Sequence, residues 1–298
     1  MILTNPFLKL KIEYILFLLL PTYFIVFLCC AITISLFNFG FSYKDPIREY
    51  IVYTVYCFVV CWFLLQKLNQ LQINVKNIVG KLSINYQWLI KLFGLVAIQC
   101  CFALGIGILT FSFLSIAVPS FIESLLTDAS KTDSQLSSVP IYYNALKLIT
   151  SVLIAPVAEE FVFRGVLLHV CAARWHIHTA IILSSLAFGF FHFNPIGVSI
   201  AGILLALIYI KTRSLIVSIV AHSMNNIIAI ALPFFFAKII NNYNDIPTLG
   251  EVTDMWKIGG ILIVVSAPFV FRFIHRQWSN NISLPYFTNV RYLADVQR

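Results

Sequence analysis

Two long apolar runs, Tyr14 to Asn38 and Leu92 to Val118, constrain what this chain can fold into more than any other feature. Each exceeds the ~20 residues that an α-helix needs to cross the hydrocarbon of a bilayer. Phe, Leu and Ile fill them without the polar stripe of a surface helix. Of the 298 residues, 60% are hydrophobic and 11% charged, against about 45–50% and about 25% in soluble domains. A soluble core cannot absorb that excess, so the sequence predicts an all-α fold, a polytopic membrane helix bundle.

The first run follows Lys9, Lys11 and Glu13 and is longer than the roughly 7–15-residue apolar region of a cleavable signal peptide. We read it as a retained helix. The formal net charge of +8 is scattered over short loops with no dense basic block, which argues against nucleic acid as a partner and for the lipid bilayer. All seven cysteines lie in apolar segments, with no CxxC pair and none beside a His at a zinc spacing, so they read as packing residues.

Breaking the chain at polar and turn-rich stretches leaves apolar segments at 14–38, 50–65, 92–118, 145–173, 178–193, 197–210, 215–236 and 258–273, or about eight transmembrane helices. The fifth and sixth are short, and the turn from Phe193 to Gly197 joins them into a hairpin expected to stop short of the far face. The expected organisation is residues 1–144 as N-terminal helices and loops, 145–235 as a core, and 236–298 as an outer loop, a last helix and a tail. With both termini on the cytoplasmic side, 13 Lys and Arg fall inside and 6 outside, with Arg164 left within a span. The positive-inside rule favours that orientation, with the cell membrane as the expected location. The polar stretches Pro119 to Asn144 and Ala237 to Trp256 are expected as exposed loops.

Inside the fourth segment stands Glu159-Glu160-Phe161-Val162-Phe163-Arg164, flanked on both sides by apolar sequence. An acidic side chain at the bilayer centre costs ~2.5–3.5 kcal/mol on insertion scales, so these carboxylates need a reason to be there. Glu160 and Arg164 are four apart and share a helix face, so they can pair. Glu159, rotated about 100° around the helix, is left free. His192 ends the run Phe188-Gly189-Phe190-Phe191-His192, and His222 and Asn226 share one face of the seventh segment. At about 1.5 Å rise per residue, Glu159 and His192 lie about 20 Å from the inner ends of their helices and His222 about 13 Å, so modest tilts let the three meet. His169, His176 and His178 lie nearer the inner end and read as interfacial.

A carboxylate that meets two imidazoles and an amide suits hydrolysis. Glu takes a proton from water, a His orients that water or protonates the leaving amine, and His with Asn donates to a developing oxyanion. The three motifs Glu-Glu-x-x-x-Arg, Phe-x-x-x-His and His-x-x-x-Asn, in this order, resemble those of the CAAX protease and bacteriocin-processing family of intramembrane proteases, also called the abortive-infection family. The resemblance covers roughly residues 145 to 235. It implies an intramembrane endopeptidase acting on a membrane-associated protein or peptide, with Glu159 as the activating base and His192 helping to hold the water. His222 with Asn226 would stabilise the oxyanion, and Arg164 would hold Glu160 in place. A divalent metal such as zinc, held by Glu159, His192 and His222, is the alternative to a metal-free, glutamate-activated water. Competing classes are a proton-coupled transporter using the same residues as a relay, a non-catalytic membrane scaffold, and a haem protein with His192 and His222 as axial ligands. The repeated halves with broken helices that mark many transporters are not found in the sequence.

Overall fold

The computed structural model describes residues 5–37, 47–82, 86–136, 141–240, 247–278 and 283–296. Among them there is no strand, and the chain runs as α1 (Ile12–Phe37), α2 (Ile47–Gln70), α3 (Val75–Val79), α4 (Tyr86–Ala117), α5 (Pro119–Leu136) and α6 (residues 141–172). It continues as α7 (Ile177–Phe190), α8 (Pro195–Thr212), α9 (Leu215–Ile240), α10 (Leu249–Asp254), α11 (Trp256–Gln277) and α12 (Pro285–Val296). Every expected apolar segment falls on a helix, while Asn38, Lys44 and Arg298 lie outside the described residues. Five stretches are long and apolar enough to cross a membrane: Ile12–Thr33, Arg48–Gln70, Tyr86–Ala117, Pro195–Thr212 and Leu249–Gln277. Ile177–Phe190 and Leu215–Ala231 are shorter apolar helices.

Outward faces carry large apolar side chains, among them Phe17, Phe24, Ile261, Val264 and Val265. A soluble monomer rarely exposes such continuous apolar surface, and a bilayer accommodates it. The chain is therefore an integral membrane helix bundle.

Two expected loops are in part helical. α5 occupies much of the stretch read as a loop, because Ile122, Leu125 and Leu126 recur at helical spacing among polar residues, and they line one apolar cavity with Ile108 and Phe111 of α4. α10 opens on a capping box in which Thr248 Oγ1 accepts the Glu251 N–H and Glu251 Oε2 accepts the Thr248 N–H.

The segments that the charge bias assigned to one side gather at one end of the bundle. Arg174 donates to the carbonyls of Leu8 (3.1 Å) and Leu10 (2.8 Å). Asn289 Nδ2 donates to Asn77 and Arg213 carbonyls, and the Tyr209 hydroxyl to Ile78. Gly80, at φ 68°, lies so close to the Arg213 carbonyl that a Cβ there would overlap it.

α6 is not a uniform α-helix. It widens into π turns at Thr150–Ile154 and Phe161–Leu167, one on either side of Glu159 and Glu160. The first has a cause in the sequence. Ala155 N–H bonds to Thr150, five residues back, and Pro156 has no N–H to give. The Ser151 carbonyl thus loses both its α and its π donor, and Asn226 Nδ2 on α9 supplies one at 2.8 Å. After the second wide turn the Arg164 carbonyl receives His169 Nδ1–H at 3.1 Å. His169, read from the sequence as interfacial, is fully buried and stacked on Phe7.

α7 and α8 form the expected hairpin. Asn194 caps α8 through the Gly197 N–H and donates Nδ2 to the Ala103 carbonyl at 2.6 Å. Ala103 lies near the middle of α4, so the turn stops well short of the end of that long helix.

Candidate active site

The two neighbouring carboxylates of α6 face different surroundings. Glu160 is wholly buried. Its Oε1 accepts Arg164 Nη1 at 2.6 Å and His222 Nδ1–H at 3.0 Å, and its Oε2 accepts the Ser218 hydroxyl at 2.5 Å. Arg164, equally buried, also donates Nη2 to the Gly202 carbonyl at 3.1 Å and lies 4.3 Å over the Phe188 ring. A buried pair repays its desolvation only when the remaining valences are filled, and here α8 and α9 fill them.

Glu159 turns the other way, towards α2. Its Oε1 accepts the Tyr53 hydroxyl at 2.5 Å. Its Oε2 is buried, has no hydrogen-bond partner among the described residues and stands 3.7 Å from His222 Nε2. His222 therefore spans both glutamates, with Nδ1 on Glu160 and Nε2 beside Glu159. Since Nδ1 faces a carboxylate, which only accepts, Nδ1 carries the hydrogen.

His192 donates Nδ1–H to the Phe188 carbonyl at 2.9 Å, which leaves Nε2 as its lone-pair nitrogen. It forms a wall shared by two cavities of about 380 Å³ each. One lies between α1, α2 and α6, is lined mainly by Leu, Tyr, Val and Phe, and holds Glu159 and Tyr53. The other lies between α4, α8 and α9 and holds His222, Asn225 and Asn226. Glu159, His192, His222 and Asn226 thus meet around adjoining spaces rather than in a single polar cavity. Asn226 is partly committed, donating to Ser151 and accepting from Asn225 Nδ2 at 3.3 Å.

Two residues here were not singled out from the sequence. Ser218 lies four residues before His222 and eight before Asn226, so the helical stripe that joins His222 and Asn226 extends to it. Tyr53 is 106 residues from Glu159, on a helix without any charged neighbour pattern, and no local signal pointed to it.

The expected metal set is not grouped as a coordination site. Among the described residues no three His, Cys, Asp or Glu side chains are arranged to hold a metal ion.

The class defined by this fold and site is a helical membrane protein with a carboxylate–imidazole centre buried inside the bundle. Residues 141–228 match the family model described as Rce1-like, type II CAAX prenyl endopeptidase Rce1-like. That stretch contains both glutamates, Arg164, both imidazoles and Asn226, and it is similar to that family. No curated protein and no solved structure matches the chain.

Proposed function

We propose that this protein is an intramembrane endopeptidase in which Glu159 activates water against a peptide bond. The observation that carries the reading is Glu159 Oε2, a buried carboxylate oxygen with open acceptor sites that faces His222 Nε2 beside a cavity. A buried acceptor left empty costs free energy, and a water on the cavity side can donate to it. The second hydrogen of that water goes to His192 Nε2, which directs an oxygen lone pair at the scissile carbonyl.

As the water oxygen bonds to the carbonyl carbon, its proton passes to Glu159. The oxyanion accepts the second Nδ2 hydrogen of Asn226, and protonated Glu159 hands its proton to the lone pair on His222 Nε2. Glu160, behind Nδ1, stabilises the imidazolium as it forms, the part a carboxylate plays behind a catalytic histidine. The imidazolium passes that proton from Nε2 to the amide nitrogen, the carbon–nitrogen bond breaks, and a carboxylic acid and an amine leave, with Glu159 ionised again. Every step uses side chains of this chain alone.

The substrate is a peptide bond of a membrane-associated protein or peptide. The apolar cavity beside Glu159 suits an apolar group near that bond, and the family description makes prenylated peptides the first class to try. Residues 145–235 supply the reacting groups, and α2, from the 1–144 segment, completes the site through Tyr53. The charge bias supports cytoplasmic termini and a location in the cell membrane.

The test is the purified protein in liposomes, supplied with an S-farnesylated peptide and an unlipidated apolar peptide in ¹⁸O-water. Hydrolysis puts one ¹⁸O into the new carboxylate of the cleaved peptide, read by mass spectrometry. Failure to cleave either peptide, together with a proton flux reported by a pH dye inside the liposomes, contradicts the reading in favour of a relay.

A further inference from the structure

The second cavity contains a polar group that neither the fold nor the reaction above employs. Gln99, on α4, is 95% buried, its relative exposure being 5%, in a stretch of that helix, 92–109, that is otherwise apolar. It lines the cavity with His192, His222, Asn225 and Asn226. No described residue hydrogen-bonds its amide, whereas its amide neighbours are engaged. Asn194 caps α8 and bonds to Ala103, Asn225 links Cys100 to Asn226, and Asn226 holds Ser151. Buried amides normally find partners, so an unpartnered one beside a cavity marks where a ligand's polar atoms go.

The cavity restricts that ligand. No Lys, Arg, Asp or Glu lines it, so a phosphate, carboxylate or ammonium would enter without a counter-charge at high desolvation cost. A primary carboxamide presents a donor and an acceptor side by side, the same pair that a peptide unit offers along its backbone. We infer that Gln99 is a substrate-binding residue which pairs with a backbone peptide unit of an extended polypeptide, next to the bond that lies at His192. The apolar cavity on the far side of His192 then takes the substrate's apolar group, while the amide-lined cavity takes its main chain. This inference rests on the endopeptidase reading for the bond to be cut. Gln99 lies outside the matched residues 141–228.

The test uses the full-length protein in detergent with the Glu159→Gln substitution, so that binding is measured without turnover. The probe is a fluorescent peptide of uncharged residues ending in an S-farnesylated Cys and three apolar residues, with a series of analogues in which one backbone N–H at a time is replaced by an ester oxygen. Gln99→Met keeps the side chain's length and removes its amide. Because the amide has no partner in the empty protein, Gln99→Met should melt no lower than its parent. It should bind the peptide about tenfold more weakly, the scale of one or two buried hydrogen bonds. One ester analogue should weaken binding to the parent but cause no further loss with Gln99→Met, since the two changes remove the same contact. Equal affinity of parent and Gln99→Met, an unchanged ester profile, or no saturable binding to the parent overturns the inference. An unaltered Glu159 protein that fails to cleave, alongside Gln99-dependent binding, overturns the hydrolase reading alone.

Discussion

Tyr53 on α2 donates its hydroxyl to Glu159 Oε1 at 2.5 Å, and this bond fixes one carboxylate oxygen while the other stays open towards His222. Hydrogen bonds to charged groups contribute about 1.5–3 kcal/mol. If Tyr53 orients the base, Tyr53→Phe lowers kcat roughly tenfold or more and leaves KM and the melting temperature near those of the parent. Tyr56→Phe is the control, since the Tyr56 hydroxyl, in the same cavity, donates to the Leu19 carbonyl and not to Glu159. Steady-state kinetics of the two variants separate an orienting role from a packing role.

Glu160 and Arg164 act as a folding unit. Glu160→Gln leaves Arg164 as a buried, uncompensated cation, and breaking such a pair costs about 3–5 kcal/mol. Membrane abundance and thermal stability should both fall. Adding Arg164→Met removes the orphaned charge, and the double variant should accumulate better than Glu160→Gln alone, since apolar replacement of a buried pair is often neutral. A double variant less stable than the single one refutes this account of the pair.

The Ser151 carbonyl ties α6 to α9 for a reason visible in one residue. Pro156 withholds the helical donor, and Asn226 supplies it from across the bundle. Asn226→Leu should lower stability by about 1–3 kcal/mol, the cost of leaving a buried acceptor unpaired. In a Pro156→Ala background the helix regains an N–H, so the same Asn226→Leu change should cost less. A double-mutant cycle on melting temperature measures the difference.

The α7–α8 hairpin depends on Gly189. A Cβ there would overlap Ser199 Oγ and stand 2.5 Å from the Pro195 carbonyl. Gly189→Ala should cost about 1–3 kcal/mol through overpacking. Ser199→Ala relieves the first clash and not the backbone one, so it should restore stability only in part.

Much of the bundle was legible in the sequence, because apolar length and the four-residue spacing of Glu160 and Arg164 are local properties. α5 was not: its Ser, Asp and Thr content reads as loop, and the apolar face of Ile122, Leu125 and Leu126 turned towards α4 shows only in the fold. The first π turn follows from Pro156 only once Asn226 is seen to replace the missing donor. The bonds His222–Glu160 and Tyr53–Glu159, 62 and 106 residues apart, are tertiary and leave no trace in spacing. For the same reason the sequence could set Glu159 apart from Glu160 by rotation about the helix, but could not foresee that His222 would touch one and face the other.

The central claim is that these adjacent carboxylates do different work, and the most direct measurement is peptide cleavage by purified Glu159→Gln beside its abundance and melting temperature. Glu159 has no cationic partner on its own helix face, and Gln keeps its shape while removing a buried charge. The account predicts that Glu159→Gln accumulates like the parent, melts no lower and releases no product. Product release by Glu159→Gln at the parent's rate, or loss of activity only in a well-folded Glu160→Gln, would contradict it.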